Sequence, residues 1–247
     1  MSRAPAGRFP LAVVVAFVAA IVAALMVVGA GPAYRMQAVE LRDAFMLLRW
    51  GAWLGLGAGF LALAGGWTAR ARSQNRGFAL AVAGVVIGAV TFGVPFAMSR
   101  SGRAAPPIHD ITTDTGHPPP FVAVIALRGN APNGVDYGGE TIAEQQRAAF
   151  PDIEPVVLAE PPAKAFERAL GVARDRGWEI VAAVPDEGRI EATDTTAWFG
   201  FKDDIVVRVS PAASGSRIDV RSVSRLGRSD LGKNAQRVRA YLAQLRR

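Results

Sequence analysis

Cysteine is missing from the 247-residue chain, and histidine occurs only twice. The first absence excludes disulfides, thiolate chemistry, iron–sulfur ligation and a lipid-modified cysteine. It leaves the compartment open, because a domain of ordinary size buries a sufficient core without covalent staples. Charge is missing from three places: Phe9–Tyr34, Trp50–Ala69 and Gly77–Ser99 contain no Asp, Glu, Lys, Arg or His. Each run is roughly 20 residues or longer, enough to cross about 30 Å of hydrocarbon as a helix, so transmembrane helices are expected over about 9–31, 48–69 and 77–98. The same absence argues against proton relays and ion-coupled transport by this chain alone, which need an ionisable group at depth.

What charge there is falls unevenly. The formal net charge is +7, yet the first 103 residues carry 10 basic and 2 acidic side chains while the remainder carries 18 against 19. The basicity therefore belongs to the flanks of the apolar spans, where arginines orient helices and meet headgroups, and nucleic acid is not an expected partner. Arg3 and Arg8 precede the first span and Arg70, Arg72 and Arg76 crowd the second loop, against Arg35, Arg42 and Arg49 in the first loop and Arg100 and Arg103 after the third span. The count is balanced. The density of the second loop and the basic N-terminus favour an inside N-terminus, which puts the C-terminal domain outside. Cleavage of the first span as a signal peptide near Gly31 or Ala33 would leave the same side outside. Gly55-Leu56-Gly57-Ala58-Gly59 looks like a phosphate-binding loop but sits within a span. Gly55 with Gly59, and Gly84 with Gly88, have the spacing that lets membrane helices pack closely.

Two domains are expected: a membrane anchor, 1–103, and an extracytoplasmic domain, 104–247. The Gly-, Pro-, Ser- and Thr-rich stretch Ser99–Pro120 reads as a linker into an irregular opening segment. Phe121–Leu127 reads as a short strand and Glu140–Phe150 as a helix stopped by Pro151. Pro161 and Pro162 start a second helix, with Phe166, Leu170 and Ala173 on one face and Gly177 at its stop. Alternation predicts four strands, at 178–184, 189–193, 204–209 and 218–221, with a turn at Ser214-Gly215. A last helix, from about Ser229, carries Ala235, Val238, Leu242 and Leu245 on one stripe. The fold class that follows is three transmembrane helices plus a soluble two-layer α+β domain, with an antiparallel sheet and two main helices.

The segments Pro107–Asp114, Tyr137, Gln145-Gln146, Ala149–Ile153 and Arg189–Thr193, and the long block Arg221–Asn234 ending in Ser-Asp-Leu-Gly-Lys-Asn, resemble the bacterial and plastid family called domain of unknown function 1499. The likeness covers nearly all of 104–247. It implies an exported or membrane-attached domain and supplies no mechanism; the expected location is the bacterial inner membrane, multi-pass, with the C-terminal domain on the extracytoplasmic side.

The best site candidate is the loop 221–234, where Ser224, Arg225, Arg228, Ser229 and Asn234 lead into the last helix. Free N–H groups and the positive end of a helix dipole suit an anion, and arginines grip phosphate or carboxylate bidentately. The plainer alternative is that Ser229 or Asp230 caps the helix while Arg221 pairs with Glu191 or Asp219 on a solvated sheet face. Gly232, costly in a first helical turn, is expected to allow a close approach by a ligand or a neighbouring strand. Trp198 and Phe201 are candidates for an apolar pocket wall, packed core being the alternative. His109, Asp110, Asp114 and His117 lack regular ligand spacing and read as turn formers, so neither metal nor cofactor is expected. The expected function is binding of an anionic or amphipathic small molecule or lipid headgroup, with the bilayer and an anionic lipid as partners. The alternatives are an envelope hydrolase or lyase using Asp110, Asp194 or Asp203 as acid/base, and a scaffold for another envelope protein.

Overall fold

The computed structural model describes residues 10–103 and 105–247, which fall into two compact units divided between Arg100 and Ser101. Phe9, Arg3 and Arg8, used above for the first span and its orientation, lie outside the described residues, as does Ala104.

The first unit contains α1 (Leu11–Arg35), α2 (Leu41–Ala71) and the greater part of α3 (Asn75–Arg103). All three are long and apolar enough to cross a membrane. They outrun the apolar spans: α2 begins seven residues before Leu48, through Arg42 and Asp43. Backbone hydrogen bonding carries a helix past its lipid-facing run until capping ends it, and hydropathy is silent about those flanks. The glycine spacing does pack helices. A side chain on Gly88 would strike the Gly55 carbonyl and come within 3.0 Å of Gly59, so α2 and α3 touch backbone to backbone there.

The second unit is an antiparallel six-stranded sheet with helices, a mixed α+β domain. In chain order come β1 (Asp110–Thr112), α4 (Ile125–Arg128), α5 (Gly139–Ala149), β2 (Val156–Leu158), α6 (Pro162–Asp175), β3 (Glu179–Val184), β4 (Arg189–Thr195), β5 (Lys202–Ala212), β6 (Gly215–Ser224) and α7 (Lys233–Leu245). Strands run in the order β1-β6-β5-β4-β3, and β2 shares the outer edge of β6 with β1. Thr113 closes the gap between those two short strands. Its amide donates to the Val220 carbonyl and its Oγ1 accepts from the Val220 amide, both at 2.9 Å.

The four alternating strands are present, and two further ones join them. Asp110–Thr112, expected within a linker, is an edge strand. Phe121–Leu127, expected as a strand, is not one: it ends in the single helical turn of α4. The inward set Ile190, Ala192, Ile205, Val207, Val209, Ile218 and Val220 packs against Phe166, Ala169 and Leu170 of α6 and Val238, Tyr241 and Leu242 of α7 in one buried core. Pro162 occupies the first turn of α6, where its missing N–H costs nothing. Gly177, at φ +74°, terminates it.

Candidate functional site

The other face of the sheet is charged. Register sets Glu191 beside Val206, Thr193 beside Asp204, Val206 beside Arg221 and Arg208 beside Asp219. Such a face reads as solvated, but residues 113–138 cover it, and Glu191, Asp204 and Asp219 are each 0% exposed. A carboxylate taken out of water must be matched by opposite charge and hydrogen bonds. Glu191 pairs with Arg189, Asp204 with Arg128 and Arg225, and Asp219 with Arg208 and Arg217. Arg221, expected to meet Glu191 or Asp219, reaches Asp110 instead, with Nη2 and Nε at 2.7 and 3.0 Å from its two oxygens. Its guanidinium also lies 5.1 Å from the Phe121 ring and 5.5 Å from that of Tyr137. Burial pushes the Asp110 carboxyl above its ordinary range while Arg221 pulls the other way. Burial, reinforced by the Asp110 charge, pushes the Tyr137 phenol up to about 12. The Tyr137 hydroxyl is buried without a hydrogen-bond partner among the described residues.

Glu191 explains why 121–127 is not a strand. Its carboxylate accepts from the backbone amides of Val122, Ala123 and Val124 at 2.9–3.1 Å, which removes the donors a sheet ladder would use. Pro118, Pro119 and Pro120, just before, have no amide hydrogen to give. Phe121 and Val124 point inward onto Val206 and Val223, while Val122, Ile125 and Leu127 stay 54%, 48% and 54% exposed. The Leu127 carbonyl accepts from Arg225 Nη1 at 2.8 Å, and Arg128 turns in to Asp204. The result is an apolar ridge pinned from below by Glu191, Arg225 and Arg128.

The expected anion site folds largely on itself. Ser224 and Asn234 are buried: Asn234 Nδ2 donates to Ser224 Oγ and to the His109 carbonyl, both at 2.9 Å, and Asn234 Oδ1 accepts from Ser222 and Arg237. The helix start is capped by Asp230, which accepts the amides of Gly232 at 2.8 Å and Asn234 at 2.6 Å. This is the capping alternative, supplied by Asp230; it puts the chain's own carboxylate where an external anion would sit. Gly232 is not in the helix. It is the N-cap at φ +79°, following Leu231 at φ +56°, so a left-handed turn accounts for the glycine without a ligand. Arg225 is committed to Asp204 through Nε and Nη2 at 2.9 and 2.8 Å. Arg228 is exposed and forms no ion pair among the described residues. Ser229 is half-buried, its Oγ accepting from the Leu231 amide at 3.2 Å.

The loop joining β4 to β5 carries Trp198 and Phe201, both half-buried and linked through Phe199, whose ring lies 5.1 Å from Trp198 and 5.2 Å from Phe201. The Arg225 amide donates to the Lys202 carbonyl, so this loop adjoins the 225 turn. The acid/base candidates all face guanidinium groups: Asp110 faces Arg221, and Asp194 and Asp203 share Arg237. Asp114 pairs with Arg208 and Arg217, and His109 Nδ1 lies 3.4 Å from the Arg228 carbonyl. A separate polar cleft of about 470 Å³ is lined by Asp114, Gln146, Arg147, Phe150, Glu154 and Arg217, and none of the expected binding residues enters it. Sequence reasoning named Glu191 only as a surface partner for Arg221 and missed Arg128 and the ridge. The signal available was the proline triplet before an apolar run whose one charge is Arg128.

Three membrane-length helices joined to an antiparallel α+β domain define the class. The chain belongs to the family described as protein of unknown function (DUF1499), whose profile matches residues 110–245. No curated protein and no solved structure shows significant similarity to the chain.

Proposed function

We propose that the chain is a membrane-anchored, extracytoplasmic recognition domain and not an enzyme, taking an anionic or amphipathic small molecule such as a phospholipid headgroup at loop 224–231. The observation that carries this reading is Arg228, an exposed guanidinium without an ion pair among the described residues, in a domain whose buried carboxylates hold seven of the other fourteen arginines. Arg228 makes the contact and Ser229 adds a hydroxyl beside it. Arg225, held by Asp204, stiffens the loop, and Ser224 and Asn234 set its shape from within. Trp198 and Phe201 supply the apolar wall for an amphipathic ligand. Acid/base chemistry has less support, because each candidate carboxylate is neutralised by an arginine.

The test is native mass spectrometry of the full chain with phosphatidylglycerol or phosphatidylcholine, wild type against Arg228→Ala. A surface arginine contributes about 1 kcal/mol toward an anionic headgroup, so Arg228→Ala is expected to lower phosphatidylglycerol retention about fivefold and leave phosphatidylcholine unchanged. Equal retention of both lipids by wild type and variant would refute the assignment.

A further inference from the structure

The ridge that Glu191 pins has no part in that anion contact, and its construction is costly. A fully buried carboxylate is spent on holding three consecutive amides of an exposed apolar segment. We propose that residues 118–127 insert as a rigid wedge into the hydrocarbon edge of the bilayer. This rests on the membrane-anchored domain of the preceding section but not on Arg228 binding the anion proposed there.

Three observations favour lipid over water or a protein partner. The first is backbone accounting. In hydrocarbon every N–H and C=O needs an internal partner, since none comes from solvent. Of the seven residues Pro118–Val124, three have no amide hydrogen and three give theirs to Glu191. The Pro119 carbonyl accepts from Arg221 and the Leu127 carbonyl from Arg225.

The second is charge. Between Thr115 and Val135 the one charged side chain, setting aside His117, is Arg128, and it is buried against Asp204. The outward groups Val122, Ile125 and Leu127 are aliphatic. The buried, energetically dominant positions of protein interfaces favour Trp, Tyr and Arg, none of which the ridge exposes. The third is the rim. Asn133 Nδ2 donates to the Gly227 carbonyl, which ties the chain just after the ridge to the turn that bears exposed Arg228, so a cation stands where anionic headgroups would lie. With three membrane-length helices in the same chain, the lipid surface is the apolar phase within its reach.

The chain's lack of cysteine makes the test direct. Single cysteines replace Val122, Leu127 or, as a control on exposed α6, Lys164; each is labelled with an environment-sensitive fluorophore and the full chain is reconstituted in phosphatidylcholine vesicles. The labels at 122 and 127 are expected to emit blue-shifted light and to lose intensity when nitroxide-bearing lipid is included, while the label at 164 does neither. A solvent-like, unquenched label at 127 overturns the proposal. So does a blue-shifted label that the lipid quencher cannot reach, which would place the ridge against protein. A lipid-borne diazirine photolysed with the unmodified chain needs no substitution: modification of residues 121–128 with α6 spared is the supporting pattern, and its absence at 121–128 counts against the wedge. Because phosphatidylcholine is zwitterionic, quenching at 127 survives a failure of the Arg228 assignment, and a phosphatidylglycerol preference survives a failure of the wedge.

Discussion

Tyr137 and Tyr241 show how the same side chain is used in opposite ways. Tyr241 lies under the sheet, stacked 5.0 Å from Trp178, and its hydroxyl donates to the Ala169 carbonyl at 2.8 Å, joining α7 to α6. Tyr137 covers Arg221 and leaves its hydroxyl buried without a partner among the described residues. A made hydrogen bond contributes about 1 kcal/mol and an unmade buried one costs as much or more. Tyr241→Phe is therefore expected to lower the melting temperature of the detergent-solubilised chain by a few degrees, and Tyr137→Phe to leave it unchanged or raise it. The two also separate at high pH. The Tyr137 phenol is raised from 10.0 to about 12, so the folded state favours its neutral form. Its contribution is complete below pH 10 and is lost as pH rises through about 12. Wild type should lose more stability than Tyr137→Phe across that interval, measured by thermal denaturation at stepped pH.

At the scale of elements, short strands become stable through partners that are not strands. β1 has three residues, too few to hold a sheet edge by itself. Gln146 of α5 completes it: Oε1 accepts the Thr112 amide at 3.0 Å and Nε2 donates to the Thr112 carbonyl at 2.6 Å, so a side-chain amide stands in for another strand. Gln146→Ala leaves two buried backbone groups unpaired and is expected to cost about 2–3 kcal/mol. Hydrogen exchange should report it first as faster loss of protection at Thr112 than in the α6–α7 core. Beside it, Asp110 with Arg221 ties β1 to β6 by charge, and Asn234 ties α7 to both through His109 and Ser224. The loop before α7 is thus a structural joint with one arginine, Arg228, left facing outward.

For the molecule as a whole, the consequence concerns sidedness. The proposed function needs the C-terminal domain on the far side, which three spans after an inside N-terminus would deliver; Arg70, Arg72 and Arg76, crowded where α2 gives way to α3, argue for that orientation. With no native cysteine, a chain carrying Lys164→Cys reports its own side. Intact spheroplasts treated with a membrane-impermeant maleimide should label it fully, without lysis. Labelling that appears only after lysis would put the domain inside and remove the extracytoplasmic part of the proposed function.

Three lipid-length helices were legible from the sequence because absence of charge over a whole span is a local property that only a bilayer or a large core rewards. The strands β3–β6 and the helices α5, α6 and α7 were legible because side-chain polarity alternates with the period of the element that buries it. The fate of the charged face was not. A row of Glu191, Thr193, Asp204, Arg208, Asp219 and Arg221 has the same pattern whether water or a covering segment lies over it. Whether such a face is wet depends on groups far away in sequence, here Asp110, Arg128 and the amides of residues 122–124. Tertiary structure alone assigned Arg221 to Asp110 and turned an apparent strand into a ridge, because each outcome is decided by which buried charge reaches which partner.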